Sequence, residues 1–101
     1  MHTIRLRDFW ETSSDGTRTV HARKFGRPRL AAAERVWVVC ESVPGPAEVT
    51  VNGRPAGATT AAGPFAADIT DLLSPRSTLA FAVTSGGPLG AVAIEIRAAT
   101  D

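Results

Sequence analysis

The residues from Glu34 to Gly53, ERVWVVCESVPGPAEVTVNG, decide the fold. The stretch from Arg35 to Glu41 is rich in valine and contains a tryptophan, and such residues favour a pleated strand over a helix. Apolar residues fall on both faces of this strand, which predicts a central strand that is covered on each side for part of its length. The Pro-Gly-Pro sequence at 44–46 ends the strand, because proline lacks a backbone donor and restricts the residue before it.

The second half of the same stretch predicts a β-hairpin. Residues Ala47 to Val51 alternate in polarity, with Val49 and Val51 on one face. Asn52-Gly53 follows directly, and this pair tolerates the positive φ that both central positions of a type I′ turn require. An Asn-Gly pair after alternating apolar residues is among the stronger short-range hairpin signals.

The rest of the chain predicts further short strands separated by turns. We expect strands over 3–10, 19–25, 65–69, 78–85 and 89–98, turns or loops over 11–17, 26–29 and 56–63, and a hairpin-like break at 86–88. One helical turn is expected at 70–73, where Asp68 or Thr70 would cap free backbone N–H groups. Seven or eight short strands without a long helix predict an all-β sandwich or barrel.

The alternation also predicts which side chains form the core. The predicted core comprises Ile4, Leu6, Val36, Val38, Val49, Val51, Phe65, Ile69, Leu79, Phe81, Val83, Val92 and Ile94. Cys40 is the only cysteine, so no disulfide can form within the chain, and its inward position favours a small core residue over a reactive thiol.

Length and composition place the chain among ordinary globular domains. Its 101 residues predict one domain spanning 1–101, and hydrophobic and charged fractions of 44% and 21% disfavour disorder. No apolar run approaches the roughly 20 residues that cross a bilayer, and the first ten residues lack a signal-peptide core, which predicts a cytoplasmic protein. The net charge of +1 favours no particular partner, although cations concentrate between Arg18 and Arg29. That basic run is read as a solvated strand face, with an anion-binding surface as the alternative.

The segment from Val38 to Val83 resembles the sugar-binding, jelly-roll domain of family 2 glycoside hydrolases, which belongs to the galactose-binding-like β-sandwiches. The resemblance is carried by an apolar strand within VWVVC, then Val43, AEVTVNG, a loop with Gly57, Pro64-Phe65, DITDLLSP and TLAFAV. It implies a jelly-roll-like β-sandwich. In that family a separate barrel with paired glutamates performs catalysis, so the resemblance implies a non-catalytic accessory or binding module. The alternative is a protein-interaction or self-assembly domain without a small-molecule ligand.

Few residues offer catalytic or metal-binding chemistry. Asp68 and Asp71 are the nearest pair of acids, but paired-carboxylate hydrolysis needs acids that flank a scissile bond, and these acids are expected in the capping turn. His2 and His21 are far apart, so no metal site is predicted, although a calcium ion bound by loop carbonyls with Asp15 or Asp68 stays open. No phosphate-binding glycine loop is present, and no cofactor is predicted.

The two indoles are the candidate carbohydrate-binding residues. Trp37 is expected on an outer sheet face and Trp10 at a strand end, where either could stack on a sugar ring; the alternative for both is packing beneath a neighbouring segment. The expected partners are therefore a carbohydrate, another protein or a second copy, without a membrane. Nucleic-acid binding is disfavoured, because one aromatic residue, Phe25, accompanies the basic run. Its cations are Arg18, Arg23, Lys24, Arg27 and Arg29.

Overall fold

A computed structural model describes residues 2–84 and 87–99, without the side chain of Asp15. Within these residues the chain forms nine strands and one short helical turn. The elements are β1 (His2–Arg5), β2 (Glu11–Asp15), β3 (Arg18–Gly26), β4 (Glu34–Val43), β5 (Ala47–Val51), β6 (Arg54–Thr59), β7 (Gly63–Asp68), a 3₁₀ turn (Thr70–Leu72), β8 (Arg76–Val83) and β9 (Val92–Ala98). No helix in the described part of the chain is long and apolar enough to cross a membrane.

The strands form two antiparallel sheets that pack face to face, as predicted for an all-β sandwich. The four-stranded sheet has the order β1-β9-β4-β7, and the five-stranded sheet has the order β2-β3-β8-β5-β6. Without the edge strand β2, each sheet interleaves strands from the two halves of the chain, which is the strand order of a jelly roll. The predicted central strand β4 pairs with β9 on one side and β7 on the other.

Alternating side chains fill the space between the sheets. Phe81 and Phe65 meet edge to face at the centre, with ring centroids 6.1 Å apart, and Cys40 is buried beside them in the core as expected. All the predicted core residues are buried except Ile4, which is 38% exposed. Ile4 lies on β1, an edge strand that pairs only with β9, so the core does not cover its side chain completely. Phe25, Val43, Ala47, Ser77 and Ile96 complete the buried set.

The predicted first strand over 3–10 is wrong in its second half. β1 ends at Arg5, and β2 lies in the other sheet, so the intervening residues carry the chain from one sheet to the other. Leu6 is buried and Trp10 packs against the core, and Phe9 between them adopts a left-handed φ of 68°. Most of the predicted turn at 11–17 is strand β2, because its polar residues need to pair only with β3.

Three further segments differ from expectation. Strand β6 spans Arg54–Thr59, so the first half of the loop predicted over 56–63 is a strand. Gly57 is required there because a Cβ atom would lie 2.8 Å from the ring of Phe65. The break at 86–88 does not connect a hairpin, because β8 and β9 belong to different sheets. β9 itself begins at Val92 rather than at Leu89. Ser85 and Gly86 lie outside the described residues.

The Asn-Gly hairpin and the helical turn are confirmed. Val51 pairs with Arg54 across a two-residue loop in which Asn52 and Gly53 have φ values of 55° and 78°. The 3₁₀ turn is stabilised by Asp68, whose Oδ1 accepts a hydrogen bond of 3.0 Å from the backbone N–H of Thr70.

Candidate functional site

Trp37 lies on the outer face of the four-stranded sheet, as the alternation along β4 predicts. Its register partners are Glu95 on β9 and Asp68 on β7, so a carboxylate stands on each side of the indole. Arg35 and Arg97, which pair with each other across β4 and β9, occupy the next outward row. Among the described elements no strand or helix covers this outer face.

Arg97 contacts the indole directly. Its guanidinium carbon lies 4.5 Å from the centroid of the Trp37 ring, which is a cation–π distance. The same guanidinium donates hydrogen bonds of 2.7 and 2.9 Å to Glu95 Oε1. Because the Glu95 side chain is only 18% exposed, this ion pair fixes both the carboxylate and the cation beside the indole.

Arg35 forms the second ion-pair cluster of the face. Its Nε donates to Asp68 Oδ2 at 2.9 Å, and its Nη2 donates to Asp71 Oδ2 at 3.3 Å. Burial raises the pKa of Asp68, but hydrogen bonds from Arg35 and Thr70 together outweigh this effect, so the pKa of Asp68 lies below its ordinary value. Asp68 therefore stays ionised at neutral pH and joins β7 to β4.

These side chains line an open groove of about 790 Å³, which we call the Trp37 groove. Its lining comprises Arg35, Trp37, Asp68, Glu95, Arg97, Ala98 and Ala99. A second depression of about 310 Å³ adjoins it through Glu95 and extends over Val39 and Ala93. The groove thus offers an aromatic ring flanked by two carboxylates and two guanidinium groups, which is suited to a ligand with one apolar face and many hydroxyl groups.

Trp10 and Trp37 line different depressions of the surface. Its ring packs against Phe81 of the core, with centroids 6.3 Å apart, and its indole N–H donates a 2.8 Å hydrogen bond to the carbonyl of Leu6. The exposed part of the ring lines a separate opening of about 500 Å³ that includes His21. The indole N–H is therefore used within the protein, and a sugar contact at Trp10 stays a prediction.

The other candidate residues have structural partners. Asp68 and Asp71 both bind Arg35 rather than facing each other across a cleft. The described residues contain no group of three His, Cys, Asp or Glu side chains that could hold a metal ion. Two acids were considered as calcium ligands. Asp68 forms hydrogen bonds with Arg35 and Thr70, and the side chain of Asp15 lies outside the described part of the chain.

The basic run does not expose the aromatic residue that the nucleic-acid alternative assigned to stacking. Phe25, the aromatic residue assigned to stacking, is only 6% exposed and belongs to the core. Arg18 pairs with Glu48 at 3.5 Å, and Arg23 donates to the carbonyls of Asp8 and Lys24.

Arg35, Glu95 and Arg97 are the charged residues of the Trp37 groove that the sequence analysis did not identify as site residues. Glu95 and Arg97 alternate outward along the predicted last strand, so their outward direction was predictable. Their position beside Trp37 depends on the pairing of β9 with β4, which joins residues nearly sixty positions apart and has no local signal.

Comparison with solved structures identifies similar domains in glycosidases. One is the β-D-glucuronidase of Dictyoglomus thermophilum, with a TM-score of 0.79 and 14% identity over 96% of this chain and 28% of that chain. Another is the Bifidobacterium dentium β-glucuronidase complexed with coumarin-3-O-glucuronide, with a TM-score of 0.58 and 30% identity over 65% of this chain and 11% of that chain. A third is the GH2 β-galacturonidase of Eisenbergiella tayi bound to galacturonate, with a TM-score of 0.67 and 17% identity over 93% of this chain and 24% of that chain.

No protein-family model and no curated protein matches the chain. The chain spans between about a tenth and about three tenths of these three glycosidases, so it corresponds to one of their domains. The matches below 25% identity bear on the fold alone. Taken with the jelly-roll strand order, the comparisons show that this chain is similar to a β-sandwich domain of family 2 glycosidases.

Proposed function

We propose that this chain is a non-catalytic accessory module that binds a carbohydrate through the Trp37 groove. The observation that carries the proposal is the position of Trp37, which lies between two carboxylates and two guanidinium groups on an outer sheet face. The solved structures of a similar β-glucuronidase complexed with a glucuronide and of a similar β-galacturonidase bound to galacturonate support a saccharide as the ligand class.

The groove suits a sugar ring for two physical reasons. The C–H face of a pyranose is apolar and would pack on the part of the indole that Arg97 leaves exposed, while its hydroxyl groups would pair with fixed charged groups. Glu95 and Asp68 are already held by Arg97 and Arg35, so their oxygens are oriented before a ligand arrives. Such preorganisation lowers the entropy that binding would otherwise lose.

The carboxylates of the Trp37 groove favour an accessory over an enzymatic role. Hydrogen bonds from Arg35 and Thr70 hold the pKa of Asp68 below its ordinary value, whereas a general acid must be protonated before the reaction. Glu95 is engaged by the guanidinium of Arg97. The cytoplasmic location and the lack of membrane or nucleic-acid partners remain predictions that rest on the sequence.

The test is binding of simple sugars to the whole chain, measured by calorimetry and by the fluorescence of the two indoles. We expect millimolar affinity for at least one of galacturonate, glucuronate, galactose or glucose. Trp37→Ala should weaken binding about fivefold to tenfold, because an aromatic contact contributes about 1 kcal/mol. Trp10→Phe tests the second candidate indole separately, and Arg54→Gln, an exposed cation outside the Trp37 groove, is the control that should bind like the wild type. Absence of binding by the wild-type chain, or undiminished binding by Trp37→Ala, would refute the proposal.

A protein-docking role is the second candidate, and one observation favours it. Val39 lies beside Ala93 and Ala66 on the same outer face, so the central strand carries an apolar residue outward without cover from any described element. Sedimentation of the whole chain at rising concentration would test self-association through this face. Association that Val39→Glu abolishes is expected; a monomer at every concentration would exclude self-assembly.

A further inference from the structure

A second groove lies on the outer face of the five-stranded sheet, at the end where β3 and β8 pair. It has a volume of about 470 Å³, and we call it the Phe9 groove. It is lined by Phe9, Glu11, Ala22, Arg23, Lys24, Phe25, Gly26, Arg76 and Thr78. It shares no residue with the Trp37 groove, so each of the two can be tested without the other.

Phe9 is the most unusual residue of this groove. Its side chain is 86% exposed and its φ is 68°, a left-handed conformation that is strained for a bulky residue. A large apolar side chain that is both strained and exposed is costly in the free protein. Backbone outliers of this kind concentrate at ligand-binding positions, which makes Phe9 a candidate contact.

Neighbouring groups hold Phe9 in this conformation. On one side the N–H of Leu6 donates to the carbonyl of Val92 at 2.9 Å, and the indole N–H of Trp10 donates back to Leu6. On the other side Arg23 donates a 2.6 Å hydrogen bond to the carbonyl of Asp8, and its guanidinium carbon lies 5.9 Å from the centroid of the Phe9 ring. These contacts fix the connection between β1 and β2 that carries the exposed Phe9 ring.

The groove beside Phe9 is cationic and has a shallow floor. Lys24 is paired in register with Thr78, and Gly26 with Arg76, so the two cations lie in adjacent outward rows. The neighbouring outward positions carry small residues, because Gly26 lies opposite Arg76 and Ala22 follows Lys24 in the next outward row. Within the described residues neither the ammonium of Lys24 nor the guanidinium of Arg76 has an ion-pair or hydrogen-bond partner, and Glu11 is the only lining carboxylate there.

We propose that the Phe9 groove binds an acidic saccharide, a pyranose ring that bears a carboxylate or a sulfate. The C–H face of the ring would pack on Phe9, and the anionic group would pair with Lys24 and Arg76. A nucleic acid fits less well, because single-strand binding uses successive aromatic platforms and this groove exposes one. This site goes beyond the Trp37 groove and does not depend on it.

The experiment is a titration of the isotope-labelled full chain, followed through the amide signals of Phe9, Lys24 and Arg76. Glucuronate and glucose 6-sulfate are the probes, and glucose and inorganic sulfate are the matched controls for the ring and for the charge. We expect shifts at these amides with millimolar affinity, weakened by added salt because the cations are exposed. Binding of only one probe would identify the anionic group that the groove prefers.

Four outcomes of the titration would overturn the proposal. Equal binding of inorganic sulfate would indicate a simple anion patch, and equal binding of glucose would remove the role of the charge. Tighter binding of a thymidine oligonucleotide at the same amides would assign the groove to nucleic acid. Shifts confined to the indole signal of Trp37 would support the proposed carbohydrate function but refute this site.

Substitutions of the groove residues provide a second test of the proposal. Lys24→Gln and Arg76→Gln should each weaken the acidic sugars about tenfold, equivalent to about 1.4 kcal/mol. Phe9→Gly should also weaken binding while the protein keeps or gains thermal stability, because glycine accepts the left-handed φ. Arg54→Gln, an exposed cation on β6 outside the groove, is the control. Wild-type affinity in Phe9→Gly, or an equal loss in Arg54→Gln, would contradict the proposal.

Discussion

At the scale of single residues, Asn52 connects the hairpin to a distant part of the chain. Its φ of 55° forms the turn, and its side-chain Nδ2 donates a 3.0 Å hydrogen bond to the carbonyl of Leu72. Its Oδ1 accepts a hydrogen bond of 3.0 Å from the N–H of Thr78 at the start of β8. One side chain therefore fixes the position of the connection from the 3₁₀ turn to β8 against the hairpin.

Replacing Asn52 should separate these two roles. Asn52→Gly keeps the turn but loses the side-chain hydrogen bonds, and we expect a loss of about 1–3 kcal/mol in the free energy of unfolding. Asn52→Ala should lose about 1 kcal/mol more, because alanine resists the left-handed conformation. Denaturant unfolding of both variants measures the difference. Equal stability of the alanine and glycine variants would show that the turn geometry contributes nothing.

At the scale of elements, β7 and the 3₁₀ turn are joined to β4 by Asp68 and Thr70. Asp68 receives Arg35 from β4, and the hydroxyl of Thr70 accepts a 2.8 Å hydrogen bond from the N–H of Val36. The backbone adds a 2.8 Å hydrogen bond from Ile69 to the carbonyl of Val36. This short segment therefore closes one end of the four-stranded sheet.

The ion pair of Asp68 predicts a pH dependence of stability. Since the pKa of Asp68 is lowered in the folded state, its contribution is present above the unfolded pKa of about 3.9 and is lost as the pH falls through the folded pKa. Asp68→Asn should cost about 1 kcal/mol at pH 7 and less in acid. Thermal unfolding from pH 7 to pH 2 measures this, with Asp71→Asn, whose side chain is 84% exposed, as the control. A constant difference between Asp68→Asn and wild type at every pH would contradict the assignment.

The sequence predicted the strands that are buried by alternation and missed the two edge strands of the five-stranded sheet, β2 and β6. β4, β5 and β8 carry apolar residues at every second position because each lies between two paired strands and packs one face against the opposite sheet. β2 and β6 have one pairing neighbour each, and β6 needs Gly57 to accommodate Phe65, so both resembled loops. The outward position of Trp37 followed from the same alternation, whereas its charged neighbours required the register of distant strands.

At the scale of the whole molecule, the two sheets enclose Cys40 completely. The thiol lies on the central strand β4, and its Sγ lies 3.4 Å from the carbonyl of Ser42. Burial raises the pKa of the thiol, and the hydrogen bonds to Ser42 and Gly90 only partly oppose this effect. The reactive thiolate is therefore scarce, and a reagent can reach it only when the sheets separate.

Thiol labelling should consequently report the opening of the sandwich. In native buffer we expect Cys40 to react at least about 10³-fold more slowly than in the unfolded chain, as a stability of about 5 kcal/mol implies. The measurement is the rate of labelling by an aromatic disulfide as denaturant is added, with the unfolded chain as the reference. Native-state labelling as fast as that of the unfolded chain would show that the core around β4 is open.

The pairing of β1 with β9 places the first and the last strands side by side, with His2 opposite Ile96. Both ends of the described chain thus leave the sandwich from the same edge of one sheet. If these residues were inserted into a surface loop of another protein, the two ends of that loop could stay close together. The entropy lost on holding such close ends together is small. The pairing of β1 with β9 therefore favours insertion of residues 2–99 into a surface loop of another protein.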